Sequence, residues 1–462
     1  MSELPAEIPA ADPPEPRYSA SGIVVRAARD GSWVTLLARR SRRSRFMPGN
    51  LVFPGGAVDP EDRPGEPGAH ARCVSREVRE EAGLELPPGD WLPAGKRTTP
   101  AMFPVRFHNR FFLTGAPDGW LPPVTSPAPN EIESLHLYGA GEALEEWAAG
   151  NLAMPPPVLP ILRVLSSART MPLTELARKI AETNAQEQRA PRIEFLPDVW
   201  MLPQRTATLP PASHTNTWMP GGRRFVIVDP GSTEQAETRR LIEVIERRRE
   251  QGGEPQAILL THGHRDHAGG VAPLARALDL PVRADASVLR RLDVEGLPLN
   301  EGDELDLDGL TLRVHLTPGH APGHLAFALP ERRALIAGDL VGGMSTILID
   351  PDHGDMGEYL NSLTRMRELG LRTLLPGHGP PLPAKALDRL IEHRGVREGR
   401  ILQRLSVEST RLSEIASAAY AELPEMPPSL TERQTLAHLL HLQRKGLARR
   451  HADGGWILGE SS

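Results

Sequence analysis

The sequence predicts a multidomain α/β protein in which two α/β domains precede a small helical one. The chain has 462 residues, 39% hydrophobic and 24% charged, which is ordinary for globular proteins and enough for about three domains. Strand-like apolar runs alternate with amphipathic helical stretches up to about His378, a pattern typical of sheets covered by helices. Beyond that residue the pattern is almost entirely helical.

The composition also limits the classes of protein to which the chain can belong. Residues 1–17 are acidic and proline-rich, without a leader-like apolar segment, and we expect a disordered tail there. No run of about 18 apolar residues occurs, so we expect a cytoplasmic protein without a membrane partner. Cys73 is the only cysteine, which excludes an intrachain disulfide, and the net charge of −6 argues against nonspecific coating of nucleic acid.

The first motif is an acidic helix that follows the glycine-rich stretch Leu51–Gly56. Glu77, Glu80 and Glu81 stand at helical spacings i, i+3 and i+4, so their carboxylates project from one face. Hard oxygen ligands on one stripe suit Mg²⁺ or Mn²⁺ with a bound pyrophosphate. Gly83 permits the helix to stop directly after them.

The run Arg76–Leu84 matches the helical half of the Nudix box, and the chain resembles the Nudix family over residues 18–175. This resemblance implies an α/β/α sandwich in which Glu77 and Glu80 are catalytic and Glu77, Glu80 and Glu81 bind Mg²⁺ or Mn²⁺. The loop before the helix is longer than in the usual Nudix box. Glu61 and Glu66 are therefore equal candidates for the glutamate that this loop normally carries in the box. An insertion at this place is similar to the branch that includes coenzyme A diphosphatases, which implies a coenzyme A derivative as substrate.

A second motif, Thr261–His267, packs three histidines and an aspartate behind the apolar run Ala257–Leu260. His320, Asp339 and His378 follow in turn-rich segments, where ligands are held on loops beside a rigid scaffold. Imidazoles and carboxylates that converge on one point bind divalent metal ions well. The sequence therefore predicts a second metal site.

The ordered set HxHxDH, GH, GD and GHG resembles the metallo-β-lactamase superfamily, particularly its glyoxalase II and lactamase-like endoribonuclease branches. The likeness covers residues 193–383 and implies an αββα sandwich with two Zn²⁺ ions, Fe or Mn being the alternatives, that hydrolyses its substrate with a bridging hydroxide. It also implies a catalytic role for Asp266, a loop-fixing role for Asp229 and no primary ligand role for His324. The ligands that the resemblance implies are His262, His264 and His320 for one ion, Asp266, His267 and His378 for the other, and Asp339 between them.

Residues 176–192 are expected to form a linker helix between these two domains, because apolar residues share one face of the stretch from Pro172 to Gln188. The segment 190–193 is the candidate boundary.

The last part of the chain, residues 384–462, predicts a winged-helix domain. Three amphipathic stretches are followed by two short strand-like runs around Asp453-Gly-Gly455. Arg433, Arg444 and the basic residues near the hairpin could contact nucleic acid. The alternative, which we favour, is that the domain packs on the catalytic domain and walls its cleft.

Three hypotheses of function follow. The first is a bifunctional hydrolase that cleaves a thioester, ester or related bond at one site and a nucleoside diphosphate conjugate at the other. The second is a metal-dependent endoribonuclease. The third is a winged-helix regulator that binds nucleic acid and senses ligands through its other domains. The sequence leaves the oligomeric state open.

Overall fold

The structure is a computed structural model that describes residues 14–44, 47–101, 103, 105–169, 171–189, 193–344 and 346–459. Most of the expected disordered tail and residues 190–192 of the expected linker lie outside these ranges. The chain divides into two compact units, one that ends at Met201 and one that begins at Leu202. Among the described residues, no helix is both long enough and apolar enough to cross a lipid bilayer.

The first unit is built on a seven-stranded sheet in the order β3-β2-β1-β6-β5, in which β4 also pairs with β1 and β7 with β2. Its strands are β1 (Arg17–Ala27), β2 (Trp33–Arg40), β3 (Leu51–Val52), β4 (Gly55–Ala57), β5 (Leu92–Thr98), β6 (Phe107–Gly115) and β7 (Ile132–Gly139). Its helices are α1 (Ala69–Ala82), α2 (Ala140–Ala148), α3 (Val158–Ser167) and α4 (Leu173–Arg189).

Side chains alternate across this sheet, so β1 contributes to two separate cores. Ile23 and Val25 lie in a core with residues of α2, α3 and α4, whereas Val24 lies in a core with Val74 and Val78 of α1. Helices therefore cover both faces, which confirms the expected α/β/α sandwich. Helix α3 was not expected from the sequence, and α4 buries Leu176, Ala177 and Ile180 in the core of this unit.

Two further sheets lie mainly in the second unit, and only the first of their strands and the start of the next one precede Leu202. The first has the order β14-β13-β12-β11-β10-β9-β8 and the second the order β15-β16-β17-β18-β19-β20. The strands of the first sheet are β8 (Ile193–Leu196), β9 (Val199–Arg205), β10 (His214–Pro220), β11 (Arg224–Val228), β12 (Glu254–Leu259), β13 (Val282–Ala284) and β14 (Gly296–Pro298). Those of the second are β15 (Glu304–Asp306), β16 (Thr311–Leu316), β17 (Leu325–Leu329), β18 (Ala334–Gly338), β19 (Thr373–Pro376) and β20 (Leu382–Pro383).

Helices cover the outer faces of these two sheets. Strands β17 and β18 are buried at every position, as expected for strands covered on both faces. Leu363 and Met366 of one helix share a core with Leu335 and Ala337 of β18. The helices are α5 (Gln235–Glu250), α6 (Arg265–Ala268), α7 (Val271–Leu278), α8 (Ala286–Leu292) and α9 (Met356–Arg367).

Strand direction places the chemical motifs together. Strands β11 and β12 run parallel, and so do β18 and β19. Strand β16 is antiparallel to β17, which is antiparallel to β18, so β16 runs in the same direction as β18. The carboxyl ends of β16, β18 and β19 therefore meet at one edge, and His320, Asp339 and His378 follow these ends.

The C-terminal part of the second unit contains α10 (Ala386–Leu402), α11 (Leu412–Ala419), α12 (Pro428–Arg444) and the hairpin β21 (Ala448–Arg450) with β22 (Trp456–Leu458). Ile401, Ile415, Leu439 and Trp456 form its core. Three helices and a short hairpin confirm the expected winged-helix fold.

Gly22 of β1 allows α1 to lie close to the sheet. A Cβ atom added there would lie 2.8 Å from the Trp91 ring and 2.9 Å from Val74. We expect Gly22→Ala to destabilise the first unit by about 1–3 kcal/mol, because over-packing forces neighbours out of position. Denaturant unfolding measures this change. Gly89→Ala, where no atom lies within 4 Å of the added Cβ, is the matched control, and equal stability of the two variants would contradict the prediction.

Candidate functional site

Three histidine nitrogens face one point at the edge of the second unit. His262 and His264 follow β12, and His320 follows β16. The Nδ1 atom of His264 lies 3.0 Å from Nε2 of His262 and 3.0 Å from Nε2 of His320. Ligands of a tetrahedral zinc ion at about 2.0–2.1 Å stand about 3.3 Å apart. The three side chains could therefore hold one divalent ion.

A second group of ligand atoms lies next to the first. Nε2 of His378 is 3.2 Å from Nε2 of His267 and 3.4 Å from Oδ2 of Asp266. Asp266 and His267 lie on α6, directly after the first two histidines. These three residues could hold a second ion.

Asp339 lies between the two groups and presents one oxygen to each. Its Oδ2 atom is 3.5 Å from Nε2 of His320, whereas its Oδ1 atom is 3.4 Å from Nε2 of His267 and 3.5 Å from Nε2 of His378. The Oδ1 atom is buried and has no hydrogen-bond partner among the described residues. A buried carboxylate oxygen without a partner is unfavourable, and a bridging position between two cations would satisfy it. The residues present thus fit a pair of divalent ions.

Asp229 fixes two of the ligand-bearing segments. Its carboxylate accepts hydrogen bonds from the Thr261 amide at 2.8 Å, from Oγ1 of Thr261 at 2.6 Å and from Nδ1 of His267 at 2.8 Å. The last of these bonds holds a proton on Nδ1 of His267, so Nε2 is the nitrogen that faces the centre and would bind a metal ion. Oγ1 of Thr261 in turn lies 3.0 Å from Nδ1 of His262, which leaves Nε2 of that ring for a metal.

Backbone carbonyls orient the other histidines. Nδ1 of His320 donates to the Leu348 carbonyl and Nδ1 of His378 to the His214 carbonyl, both at 2.9 Å. Asn216 donates to the carbonyls of Pro376 and Gly379, on either side of the His378 loop. We did not predict these partners, because every residue type has a carbonyl and a single asparagine carries no distinctive signal.

His324 has a different role from the other histidines of the centre. Its Nε2 atom accepts from the Asp339 amide at 3.2 Å, and its Nδ1 atom lies 2.8 Å from Oγ1 of Thr317. Both ring nitrogens are therefore engaged, and the Nε2 atom holds the Asp339 loop in place.

The electrostatics differ between the two groups. Burial, with the neighbouring charge of His320, lowers the pKa of His264 to about 3, so this ring is neutral, as ligation requires. Burial also opposes the charged form of His378, but Asp339 and Asp266 outweigh it and raise the pKa of His378 to about 10. Although burial alone would raise it, the charges of His378 and His267 hold the pKa of Asp339 well below its usual range. Without metal, protons on the imidazoles of His267 and His378 balance the charge of the buried carboxylates.

The acidic helix α1 of the first unit carries the other candidate site. Glu81 is buried and accepts a hydrogen bond from the Gly55 amide at 2.9 Å. The Arg76 guanidinium lies 2.9 Å from Glu77 and 3.2 Å from the exposed Glu80. Burial, partly offset by Arg76, raises the pKa of Glu77 to about 7, and burial with the charge of Glu77 raises that of Glu81 to about 8.

The lengthened loop before α1 contributes a residue that we did not predict. Asp62 is 2% exposed, and its carboxylate lies 2.9 Å from the Arg76 guanidinium. Glu61 is exposed, and Glu66 lies 3.5 Å from Arg72 at the surface. The loop is therefore anchored through the aspartate between the two glutamates considered from sequence.

The two sites differ in how far their ligands converge. Among the described residues, the groups of three metal-ligating side chains that come within 4.8 Å of one another all lie in the second unit. A Mg²⁺ ion keeps several waters and needs only one or two carboxylates. The glutamates of α1 therefore remain suitable for that ion without such convergence.

Three family models match the chain in order: the NUDIX domain over residues 16–155, the metallo-β-lactamase superfamily over 211–378 and the β-lactamase-associated winged helix domain over 412–456. The chain is 35% identical over 230 residues to lactamase-like protein nscB of Trichophyton rubrum, covering 46% of this chain and 68% of that protein. It is 29% identical over 218 residues to the β-lactamase-like protein 2 homolog of Caenorhabditis elegans, covering 46% and 72%.

Among solved structures, a β-lactamase domain protein from Burkholderia ambifaria is 21% identical, with a TM-score of 0.50 over 58% of this chain and 94% of that one. This likeness shows the fold alone. The matched family models and the nscB relative together lead to one conclusion. The chain belongs to the metallo-β-lactamase superfamily, and it carries a Nudix domain before its lactamase fold and a winged helix after it.

Proposed function

We propose that this hydrolase cleaves a thioester, an ester or a related bond at a dinuclear metal centre and a nucleoside diphosphate conjugate at its Nudix site. The observation that carries the first part is the carboxylate of Asp339. One of its oxygens faces each histidine group, and the oxygen that faces His267 and His378 is buried and has no hydrogen-bond partner among the residues that the structure describes. Zinc is the first candidate for these His and Asp ligands, with iron or manganese as the alternatives.

A pair of divalent ions held there would supply a hydroxide nucleophile at neutral pH and a positive charge for the developing oxyanion. The side chains provide the setting for that chemistry. His262, His264 and His320 contribute neutral lone pairs; His262 and His320 are buried, and His264 is half-buried. The Asp266 side chain is 17% exposed, and its carboxylate lies 3.4 Å from Nε2 of His378.

In the Nudix domain, we propose that Glu77, Glu80 and Glu81 bind Mg²⁺ or Mn²⁺ together with a diphosphate. Arg76 joins the carboxylates of Glu77 and Glu80 to Asp62 of the long loop, so loop and helix form one charged network. Glu77, whose pKa is raised to about 7, is suited to accept a proton near neutral pH. A coenzyme A derivative would unite the two activities, since it carries both a thioester and a diphosphate.

The alternative functions need the winged helix to contact nucleic acid, but several of its arginines contact carboxylates of the protein instead. Arg433 pairs with Asp350 and Asp352 of the lactamase domain, and Arg397 and Arg400 pair with Glu422. These guanidinium groups are thus engaged within the protein. This favours the interpretation that the winged-helix domain packs on the lactamase domain and forms a wall of its cleft. It does not favour a domain that guides RNA to the site or regulates genes.

The two proposed activities should be separable by substitution. His262→Ala removes a ligand of the first ion and should lower hydrolysis of acyl-coenzyme A thioesters by at least about 100-fold, while leaving diphosphate cleavage unchanged. Glu80→Gln should have the opposite pattern. Hydrolysis rates on thioesters, coenzyme A, other diphosphate conjugates and single-stranded RNA test both expectations. Elemental analysis gives the metal content of each variant.

His451→Ala, at an exposed position of the wing, is the control and should change neither rate. Metal-dependent cleavage of RNA that His262→Ala abolishes, without thioester hydrolysis, would instead support the endoribonuclease alternative.

The buried glutamate of α1 predicts a pH dependence of stability. Because the pKa of Glu81 rises from 4.5 to about 8 on folding, its protonated form stabilises the fold below pH 4.5, and this contribution is lost as the pH rises to about 8. In EDTA, Tm of the first unit should therefore fall more steeply over this range in the wild type than in Glu81→Gln. Mg²⁺ should restore Tm in the wild type alone.

Scanning calorimetry between pH 4.5 and pH 8 measures these slopes. Glu85→Gln, at an exposed position three residues beyond α1, should behave like the wild type. Identical slopes for the wild type and Glu81→Gln would show that this carboxyl group has no raised pKa.

A further inference from the structure

The ring of His320 is oriented by a segment that has no helix or strand of its own. Its Nδ1 atom donates to the carbonyl of Leu348, within residues 346–355 between β18 and α9. This bond leaves Nε2 of His320 facing His264 and Asp339. The direction of the metal-facing lone pair therefore depends on where the segment 346–355 lies.

The same segment also contacts the backbone beside that ligand. The Asp355 amide donates to the Gly319 carbonyl at 2.7 Å. A Cβ atom added at Gly354 would lie 2.6 Å from the Gly319 oxygen and 3.1 Å from the His320 oxygen. Side chain and backbone of the ligand loop thus both rest on residues 346–355.

Arginines of the winged-helix domain hold the segment from its other side. Arg433 of α12 pairs with Asp350 through both Nε and Nη2, and its Nη2 atom is 2.6 Å from Asp352. Arg444 of α12 pairs with Asp355. Arg394 of α10 donates to the Ile347 carbonyl, the residue before Leu348.

Two of these arginines hold the segment in different ways. Arg394 is 2% exposed, and its guanidinium lies 5.3 Å from the Tyr359 ring centre. Arg433 contacts Asp350 with a two-point geometry, which restricts the orientation of the carboxylate as well as its position. Residues 346–355 form no strand ladder or helix of their own. Ile347 and Ile349 anchor the segment in the hydrophobic core, and the arginines add polar contacts that restrict its position and orientation.

We propose that Arg433 and Arg394 are positioning residues for the metal ligand His320, so that the winged-helix domain sets the affinity of the ion held by His262, His264 and His320. The chain of contacts runs from α12 through Asp350 and the Leu348 carbonyl to the imidazole. This inference rests on the dinuclear centre of the proposed function and adds a role for the C-terminal domain in it.

Arg433→Ala tests the proposal, because both of its partners are partly exposed and can be solvated after the change. Loss of groups that hold a metal ligand typically costs 10- to 100-fold in affinity. Arg433 acts through an intervening segment, so we expect the zinc affinity of the site formed by His262, His264 and His320 to fall about 3- to 10-fold. One of the two zinc affinities should therefore fall and the other stay unchanged. Competition with a chromophoric chelator measures both.

Asp350→Asn removes the other half of the ion pair and should reproduce the loss, and the double variant should be no worse than either single one. The matched control is Arg400→Ala on α10, since Arg400 pairs with Glu422 inside the winged-helix domain. This variant should bind zinc as the wild type does. Equal zinc affinities in Arg433→Ala and Arg400→Ala would overturn the proposal.

Hydrogen exchange in the metal-free protein provides a second readout that needs neither activity nor metal. Arg433→Ala should accelerate exchange in peptides that cover residues 346–356 and 317–324, and Arg400→Ala should not. Faster exchange in 346–356 without any change in 317–324 or in zinc affinity would mean that the arginine holds the segment but does not position the ligand. That result would also overturn the proposal.

These outcomes separate the inference from the function on which it rests. A wild-type protein that takes up fewer than two ions would refute the dinuclear centre, whereas the exchange data would still decide whether Arg433 controls the His320 loop. Two bound ions with unaltered affinity in Arg433→Ala would refute the positioning role alone.

Discussion

The lactamase half of this protein depends on one buried carboxylate that must be neutralised from two sides. Asp339 is 7% exposed and lies against three imidazoles, at distances of 3.4 to 3.5 Å. A charge in such a place is costly unless it is paired. Without metal, protons on His267 and His378 supply the balance, since the pKa of both rings is raised. Two divalent ions would replace these protons and coordinate the Oδ1 atom, which has no hydrogen-bond partner in the described part of the chain.

The fold makes this convergence possible by aligning strand ends. Residues far apart in the chain meet because β16, β18 and β19 all run in one direction and end at one edge of their sheet. Outer partners then select the orientation of each ring. Asp229 and three carbonyl or hydroxyl oxygens occupy the Nδ1 atoms, so the Nε2 atoms of four histidines point inward. Ligand geometry is thus a property of the loops as much as of the histidines.

In the first unit, clustered carboxylates are compensated by an arginine side chain. Arg76 lies among Asp62, Glu77 and Glu80, and this permits three carboxylates to stand close to one helix. Glu81, which lies deeper, instead accepts a backbone hydrogen bond and has a raised pKa. The two units thus compensate for clustered carboxylates in different ways. The first unit relies on a guanidinium and on burial of the neutral acid, whereas the second relies on imidazoles suited to soft or borderline metal ions.

The amino-acid sequence by itself determined the chemistry of the centre, because three histidines and an aspartate within Thr261–His267 have few uses other than metal binding. It also determined the three folds, since the Nudix helix, the ordered histidine motifs and the C-terminal helices with their hairpin are local patterns. Only the tertiary structure decided which groups support the ligands. The Leu348 carbonyl, Asn216, Asp62 and the arginines of α10 and α12 act through contacts between distant segments, and neither a carbonyl nor a lone polar residue marks such a contact in the sequence. Local pattern reflects the chemistry that a residue carries, whereas orientation arises only when the chain has folded and its loops are held against one another.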